Sequence, residues 1–290
     1  MKKIRYYLEY IIVSFIGIIV RVLPVKTAIL TGEYLGKFVY YIIPIRKKTA
    51  LNNLLIAFGK EKSPGEIRKI CKDCYGNLGM SLIEFLRYPG YNKENFFNYV
   101  EIENEEYLKS SLAKGRGVII IAGHFGNWEF SAAAVGLLGY PLSQVSKNLH
   151  NYYLNKIVLK YRERKNINVI GLKMEVREII RILKQNGIVG IADDQEARLH
   201  GLWVDFMGRE ALTARGPVAF ARKIGSPLVP CFIVRQGDKI THKIFFEKPI
   251  IVDSMNDGEY LYQFNKLLEK YVRLYPEQYF WLHNRWRTKR

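Results

Sequence analysis

Val118-Ile119-Ile120-Ile121-Ala122-Gly123-His124-Phe125-Gly126-Asn127-Trp128-Glu129 is the stretch on which the fold turns. Its first five residues are apolar without a break and mostly β-branched. A strand with no polar alternation is buried on both faces, which occurs where helices cover both sides of a parallel sheet. The run ends at Gly123, and Asn127 is a good N-cap for a helix that follows at once. Polar residues at such a strand end are where α/β sheets carry their active groups. Glu129 then falls in the first helical turn, from which the loop can fold its carboxylate back toward the His124 imidazole.

Working outward, short β-branched runs alternate with helical stretches from about Tyr99 onward, the pattern of strands joined by crossover helices. Strands are expected at Tyr99 to Ile102, Val118 to Ala122, Leu142 to Val145, Val169 to Gly171, Ile188 to Ala192 and Leu228 to Val234, with an antiparallel addition at Ile240 to Glu247. Helices are expected near 127–138, 151–164, 174–186 and 213–223, and a closing helix from about Gly258 to Leu274. The fold class is α/β, with a mostly parallel central sheet flanked by helices.

Residues 1–90 read as a helical N-terminal extension and residues 91–290 as the α/β domain. Ser63-Pro64-Gly65-Glu66 carries a capping box that starts a long helix running to about Arg87. Near the start, Lys2, Lys3 and Arg5 precede an uncharged run from Tyr10 to Val20, shorter than the roughly 20 apolar residues that a membrane span needs. That run suits an anchor lying in the cytoplasmic leaflet, its basic flank held by anionic lipid, or else a buried first helix. The chain has 45 Lys and Arg against 27 Asp and Glu, a formal charge of +18, which calls for a polyanionic partner, either nucleic acid or anionic lipid. Cys71 and Cys74 form a lone C-x-x-C inside a helical stretch; without a second pair they read as reduced core thiols, and no metal site is expected.

A histidine beside a carboxylate is what hydroxyl activation requires: the acid fixes the tautomer, and the other ring nitrogen accepts the proton. No G-x-S-x-G, H-E-x-x-H or complete P-loop is present, which disfavours a serine hydrolase, a zincin and a P-loop nucleotidase. Spacing alone leaves open that His124 is a satisfied core histidine. His150, His200 and His242 carry no supporting pattern.

The His124-Phe125-Gly126-Asn127-Trp128-Glu129 block resembles the His-x4-Asp/Glu motif of the lysophospholipid acyltransferase superfamily, in the form seen in the late (lauroyl/myristoyl) acyltransferases of lipid A biosynthesis. Further segments match in order: Arg46 with Ala50 to Phe58, Arg162-Glu163-Arg164, Asp194-Gln195, Val204 to Gly208, Thr213, Gly216, Pro230, and the tail from Pro276 to Trp286. The resemblance covers nearly the whole chain. It implies a glycerol-3-phosphate acyltransferase-like fold, an acyl carrier protein or coenzyme A thioester as donor, an anionic glycolipid acceptor, and work at the cytoplasmic face of the inner membrane, with no cofactor.

On that reading His124 is the general base, Glu129 its orienter and Arg162 the candidate for holding the oxyanion, with Arg164 as the fallback. Asp194 and Gln195 either position Arg162, bind the sugar or cap a strand end; Asn127 and Lys147 complete the candidate substrate contacts. His283, Arg285 and Trp286 belong either to a packed tail or to a headgroup contact. Lys147-Asn148 stands where the family often has Arg-Pro, and lysine lacks the bidentate fork of arginine, so other acceptors remain open, mannosylated phosphatidylinositols and lysophospholipids among them. The rival from another class is a membrane-tethered nucleic-acid-binding module, which the charge and the aromatic content suit but no recognised motif supports.

Overall fold

The Val118–Ala122 run forms β2, the middle strand of a seven-stranded sheet. The computed structural model describes residues 2–43, 45–171, 175–197 and 201–288, so His200 lies outside the described residues. The sheet is built from β1 (Val100–Glu103), β2, β3 (Leu142–Ser146), β4 (Ile167–Gly171), β5 (Ile188–Ala192), β8 (Leu228–Arg235) and β9 (His242–Phe246), in the order β1-β9-β8-β2-β5-β3-β4. From β8 to β4 all neighbours are parallel. At the other edge β9 runs antiparallel to β8 and parallel to β1. Every residue of β8 is buried, and β2 is buried from Val118 through Ile121, as strands covered on both faces must be.

The covering helices are α5 (Lys93–Phe96), α6 (Glu105–Leu112), α7 (Trp128–Leu137), α8 (Tyr152–Glu163), α9 (Glu175–Lys184), α10 (Gly216–Ile224) and α11 (Asp257–Leu274). The expected strands and crossover helices are present within a few residues of their expected ends. One element departs. Residues from 213 were expected to begin a helix, but β6 (Gly201–Phe206) and β7 (Arg209–Ala214) form an antiparallel hairpin, and α10 starts only at Gly216. The hairpin closes through Met207-Gly208, both with positive φ (56° and 75°), which matches the right-handed twist of paired strands.

Four helices precede the sheet: α1 (Lys2–Val22), α2 (Val25–Ile42), α3 (Lys47–Phe58) and α4 (Pro64–Arg87). The capping box at Ser63 and Glu66 starts α4 as expected. Cys71 and Cys74 are buried free thiols in that helix, and burial pushes Cys71 up to about 11. Residues of α3 and α4 share one continuous apolar core with β2, α11 and the C-terminal tail. In α1, Gly17 and Val20 face inward, while Ile12, Phe15, Ile18 and Val22 are exposed. Among the described residues, no helix is long and apolar enough to cross a membrane.

Helices α2 and α4 cross where neither has a side chain. A Cβ on Gly79 would sit 2.0 Å from the Gly32 carbonyl oxygen, and one on Gly36 would sit 2.0 Å from that of Tyr75. These are backbone atoms on both sides, so a side chain there forces the helices apart. Gly79→Val is expected to cost about 1–3 kcal/mol or more and to lower the Tm in thermal denaturation. Gly90→Ala, which adds its methyl to open space, should leave the Tm in place.

Candidate active site

The register of the sheet assembles the site. Ala122 of β2 pairs with Ala192 of β5, so the residues two positions beyond each strand emerge side by side: His124 and Asp194. His124 Nδ1 lies 2.7 Å from Asp194 Oδ1, and the His124 backbone N–H donates to Asp194 Oδ2 at 2.9 Å. One carboxylate therefore fixes both the ring and the chain that carries it. Nδ1 holds its proton toward the acid, leaving Nε2 as the acceptor. Burial by itself would lower the His124 pKa, but the charge and hydrogen bond of Asp194, with a smaller push from Glu129, raise it above the ordinary value. Asp194 is buried, and the His124 charge and hydrogen bonds hold it low against that burial.

Among the described residues, Glu129 makes no hydrogen bond to His124. The Asn127 side chain caps α7 by accepting the Phe130 N–H, and Glu129 in the first turn faces α8. There Arg162 takes both carboxylate oxygens, Nη2 to Oε1 at 2.7 Å and Nε to Oε2 at 3.1 Å, while its Nη1 donates to Ser146 at the end of β3. Burial would lower the Arg162 pKa, but the Glu129 charge raises it. The expected base and its expected orienter thus belong to two neighbouring pairs, His124 with Asp194 and Arg162 with Glu129. The other candidates separate as well. Asn127 is buried, with its side chain used by Phe130 and by Glu84 at 2.7 Å, so it does not reach substrate space. Arg164 caps the end of α8 and is exposed, away from the cavity.

Both pairs open on one cavity of about 550 Å³. Its polar wall carries His124, Glu129, Arg162, Lys147, Gln195 and His283. Deeper, between the sheet and α7, the lining turns apolar with Ile120, Val135, Leu142, Gly190 and Cys231. A cavity with a largely apolar interior and an Asp-buttressed histidine, a buried arginine and a lysine on its polar wall can hold a hydrocarbon chain with its polar end at the histidine.

A family model described as "Bacterial lipid A biosynthesis acyltransferase" matches residues 1–288. The chain belongs to that family. It is similar to the lipid A biosynthesis palmitoleoyltransferase of Escherichia coli, 24% identical over 287 residues that cover 98% of this chain and 92% of the relative. It is also similar to the lipid A biosynthesis lauroyltransferase of the same organism, 26% identical over 288 residues, 98% of this chain and 93% of the relative. A phosphatidylinositol mannoside acyltransferase of Mycolicibacterium smegmatis matches over 159 residues, 53% of this chain and 52% of the relative, at 24% identity. The protein is an acyltransferase.

Around the acyltransferase site the C-terminal tail is packed rather than free. Arg285 is buried, donating to the carbonyls of Gln195 and Leu212 and to the Thr213 hydroxyl, and Trp286 is buried against Phe206. The tail also delivers His283 to the cavity wall, so of the three tail residues left between packing and headgroup contact it alone lines the cavity. Below the loop that carries His124, Glu84 of α4 receives Asn127, His242 at 2.9 Å and a two-pronged pair from Arg235 (2.5 and 2.7 Å). Burial alone would raise the Glu84 carboxyl, but the Arg235 guanidinium, with the hydrogen bonds of His242 and Arg235, holds it down to about 2.

The two pairs make separable predictions. His124 must be neutral to accept a proton, so activity should fall as pH drops through its raised pKa. Asp194→Asn removes the main raising influence and leaves burial, so the acidic limb of kcat/KM should move to lower pH. The rate should fall about 10²- to 10⁴-fold, as when an orienting carboxylate loses its charge. Glu129→Gln should shift that limb much less and instead weaken Arg162's placement. A larger limb shift in Glu129→Gln than in Asp194→Asn would show that Glu129, not Asp194, sets the base.

Proposed function

We propose that this acyltransferase moves a fatty acyl group from the thioester of acyl carrier protein, or of coenzyme A, onto a hydroxyl of a lipid A precursor. The observation that carries the reading is His124, its Nδ1 braced by Asp194 at 2.7 Å and its Nε2 left as the acceptor, at the polar end of a cavity with an apolar interior. The acceptor hydroxyl adds to the thioester carbon while Nε2 takes its proton. A tetrahedral oxyanion forms, the C–S bond breaks, and the imidazolium returns the proton to the leaving thiolate. Ester and free thiol are the products, and no metal or cofactor enters.

Arg162 and Lys147 supply positive charge on the cavity wall, suited to the phosphate of an anionic glycolipid. The membrane reading is supported by the exposed apolar face of α1, its basic start at Lys2, Lys3 and Arg5, and further exposed Tyr34, Phe38 and Tyr41 on α2. Together with the net positive charge, these favour seating on the anionic cytoplasmic face of the inner membrane.

Acyl transfer to a phosphorylated, acylated glucosamine disaccharide, followed by mass spectrometry, tests the reaction. His124→Ala should lose about 10²- to 10⁴-fold in rate at unchanged Tm. Transfer to a lysophospholipid or a mannosylated phosphatidylinositol in place of the disaccharide would reassign the acceptor. Chain-length choice has its own handle in Gly190, where an added Cβ meets only Leu142, at 3.4 Å. Gly190→Val should therefore project into the cavity and shift preference to shorter acyl donors. Each displaced methylene costs about 0.8 kcal/mol, about fourfold in discrimination. Competition between donors of different length measures it, and an unchanged preference would place the chain elsewhere.

A further inference from the structure

An acyl-transfer site has to meet the oxyanion of its tetrahedral intermediate with donors already in place. The backbone donors nearest the His124 ring are already taken. The His124 N–H goes to Asp194, the Phe125 N–H to the Gly123 carbonyl at 2.9 Å and the Gly126 N–H to the Gln278 carbonyl at 2.8 Å. Arg162 spends donors on Glu129 and Ser146, and its charge is matched by the Glu129 carboxylate. A further donor on the wall would complement them.

His283 has the required form. Its Nε2 accepts the backbone N–H of Glu196 at 3.1 Å. A ring nitrogen that accepts carries no proton, so in the neutral ring the proton is on Nδ1. None of the hydrogen bonds among the described residues uses that Nδ1, and His283 lines the same cavity as His124. Burial lowers the His283 pKa despite the opposing pull of Asp194, so the ring stays neutral. The two imidazoles flank one dipeptide: Gln195 Nε2 lies 3.4 Å from both ring nitrogens of His124, and Glu196 binds His283.

The ring is also held in advance of substrate. Asn53 donates to the carbonyls of Trp281 and His283, Arg46 donates to that of Leu282, and Arg285 grips the Gln195 carbonyl from the other side. Fixing the chain this tightly around an exposed-edge histidine suits a preorganised donor.

We propose that the Nδ1–H of His283 donates to the oxyanion that forms when the acceptor hydroxyl adds to the thioester carbon. The inference rests on the reading of His124 as the base. No proton is transferred by His283: its hydrogen bond strengthens as the carbonyl oxygen gains charge and relaxes when the C–S bond breaks and the carbonyl re-forms.

The test compares His124→Ala, His283→Ala and His283→Asn in the full-length protein, with an acyl carrier protein thioester as donor. An asparagine carboxamide can accept the Glu196 N–H while donating from its amide nitrogen. His283→Ala should lose about 10²- to 10³-fold in kcat, with KM for the thioester within about threefold and the acidic limb of the pH profile unmoved. His283→Asn should recover at least tenfold of that loss. A rate for His283→Ala within a few-fold of the parent, while His124→Ala is inactive, overturns the inference and leaves the base intact. A loss confined to KM, or one that moves the acidic limb or lowers the Tm and is not recovered by asparagine, makes His283 a structural residue. A retained rate in His283→Ala with a collapsed rate in Trp128→Phe gives the role to the indole N–H on the same wall. Activity in His124→Ala would instead remove the reading on which the inference rests.

Discussion

The parallel pairing of β2 with β5 is the interaction on which the site depends. Because Ala122 lies opposite Ala192, two loops that leave the sheet in the same direction carry the residues two positions on, His124 and Asp194, to hydrogen-bonding distance. A one-residue slip would turn one of the two chains to the other face and separate the pair. The register is protected by the β-branched interior of β2 and by β8 on its far side, where the whole strand is buried. Asp194 then adds a second constraint by holding the His124 backbone N–H as well as the ring, so the rotamer and the loop cannot drift independently.

A second layer of buried charge supports the loop from below. Glu84 and Arg235 are each almost fully enclosed, and their pair also engages Asn77, Ser81 and His242. Such a cluster is weak as a source of stability, because desolvation offsets most of the attraction, but it is costly to disturb and therefore specifies geometry. Its contact with the site is Asn127, whose amide donates to Glu84 while its oxygen caps α7. The helix that carries Glu129 is thereby tied through one side chain to α4 and to the far strands of the sheet.

The fold was legible where the sequence has one dominant physical signal. The apolar run at Val118–Ala122, the Ser63 capping box and the Asn127 cap are local features that tertiary packing did not override. The β6–β7 hairpin was missed because its turn uses Met207 in a left-handed conformation, a choice that residue type does not announce. The site was legible in membership more than in pairing. His124, Glu129, Arg162, Lys147, Asp194 and Gln195 were all singled out, and all lie at or beside one cavity. Sequence proximity suggested the wrong partner for His124: Glu129 is five residues away in the chain but is turned by the helix cap toward α8, whereas Asp194 is 70 residues away and abreast through the sheet. Strand ends two residues short of a histidine and an aspartate, Ala122 and Ala192, were the available signal. For His283 the sequence left packing and headgroup contact open, since its placement depends on Asn53 and Arg46, more than 200 residues earlier.

The two carboxylate pairs also divide the electrostatic work. Had Glu129 held His124, Arg162 would be an unpaired buried cation facing any thioester carbonyl, and Asp194 an unpaired buried anion. Pairing Asp194 with His124 leaves a base whose charge is created only when a proton arrives, next to an acid that stabilises it then. Pairing Glu129 with Arg162 leaves a guanidinium of fixed position and moderated field, which can meet a phosphate without pulling the reacting carbonyl away from the histidine. Helix α8, which carries that arginine, is in turn gripped by α1: Arg21 reaches the Tyr161 hydroxyl at 2.6 Å, and Asn151 donates to the Tyr6 carbonyl and the Glu9 carboxylate. The same helix thus presents exposed apolar residues outward and braces the arginine's helix inward, so whatever surface receives α1 bears mechanically on the Arg162 side of the cavity and not on the His124 and Asp194 pair, which is held by the sheet and by the tail, whose Phe280 N–H donates to the His124 carbonyl at 3.0 Å and whose Tyr279 hydroxyl donates to that of Asp194.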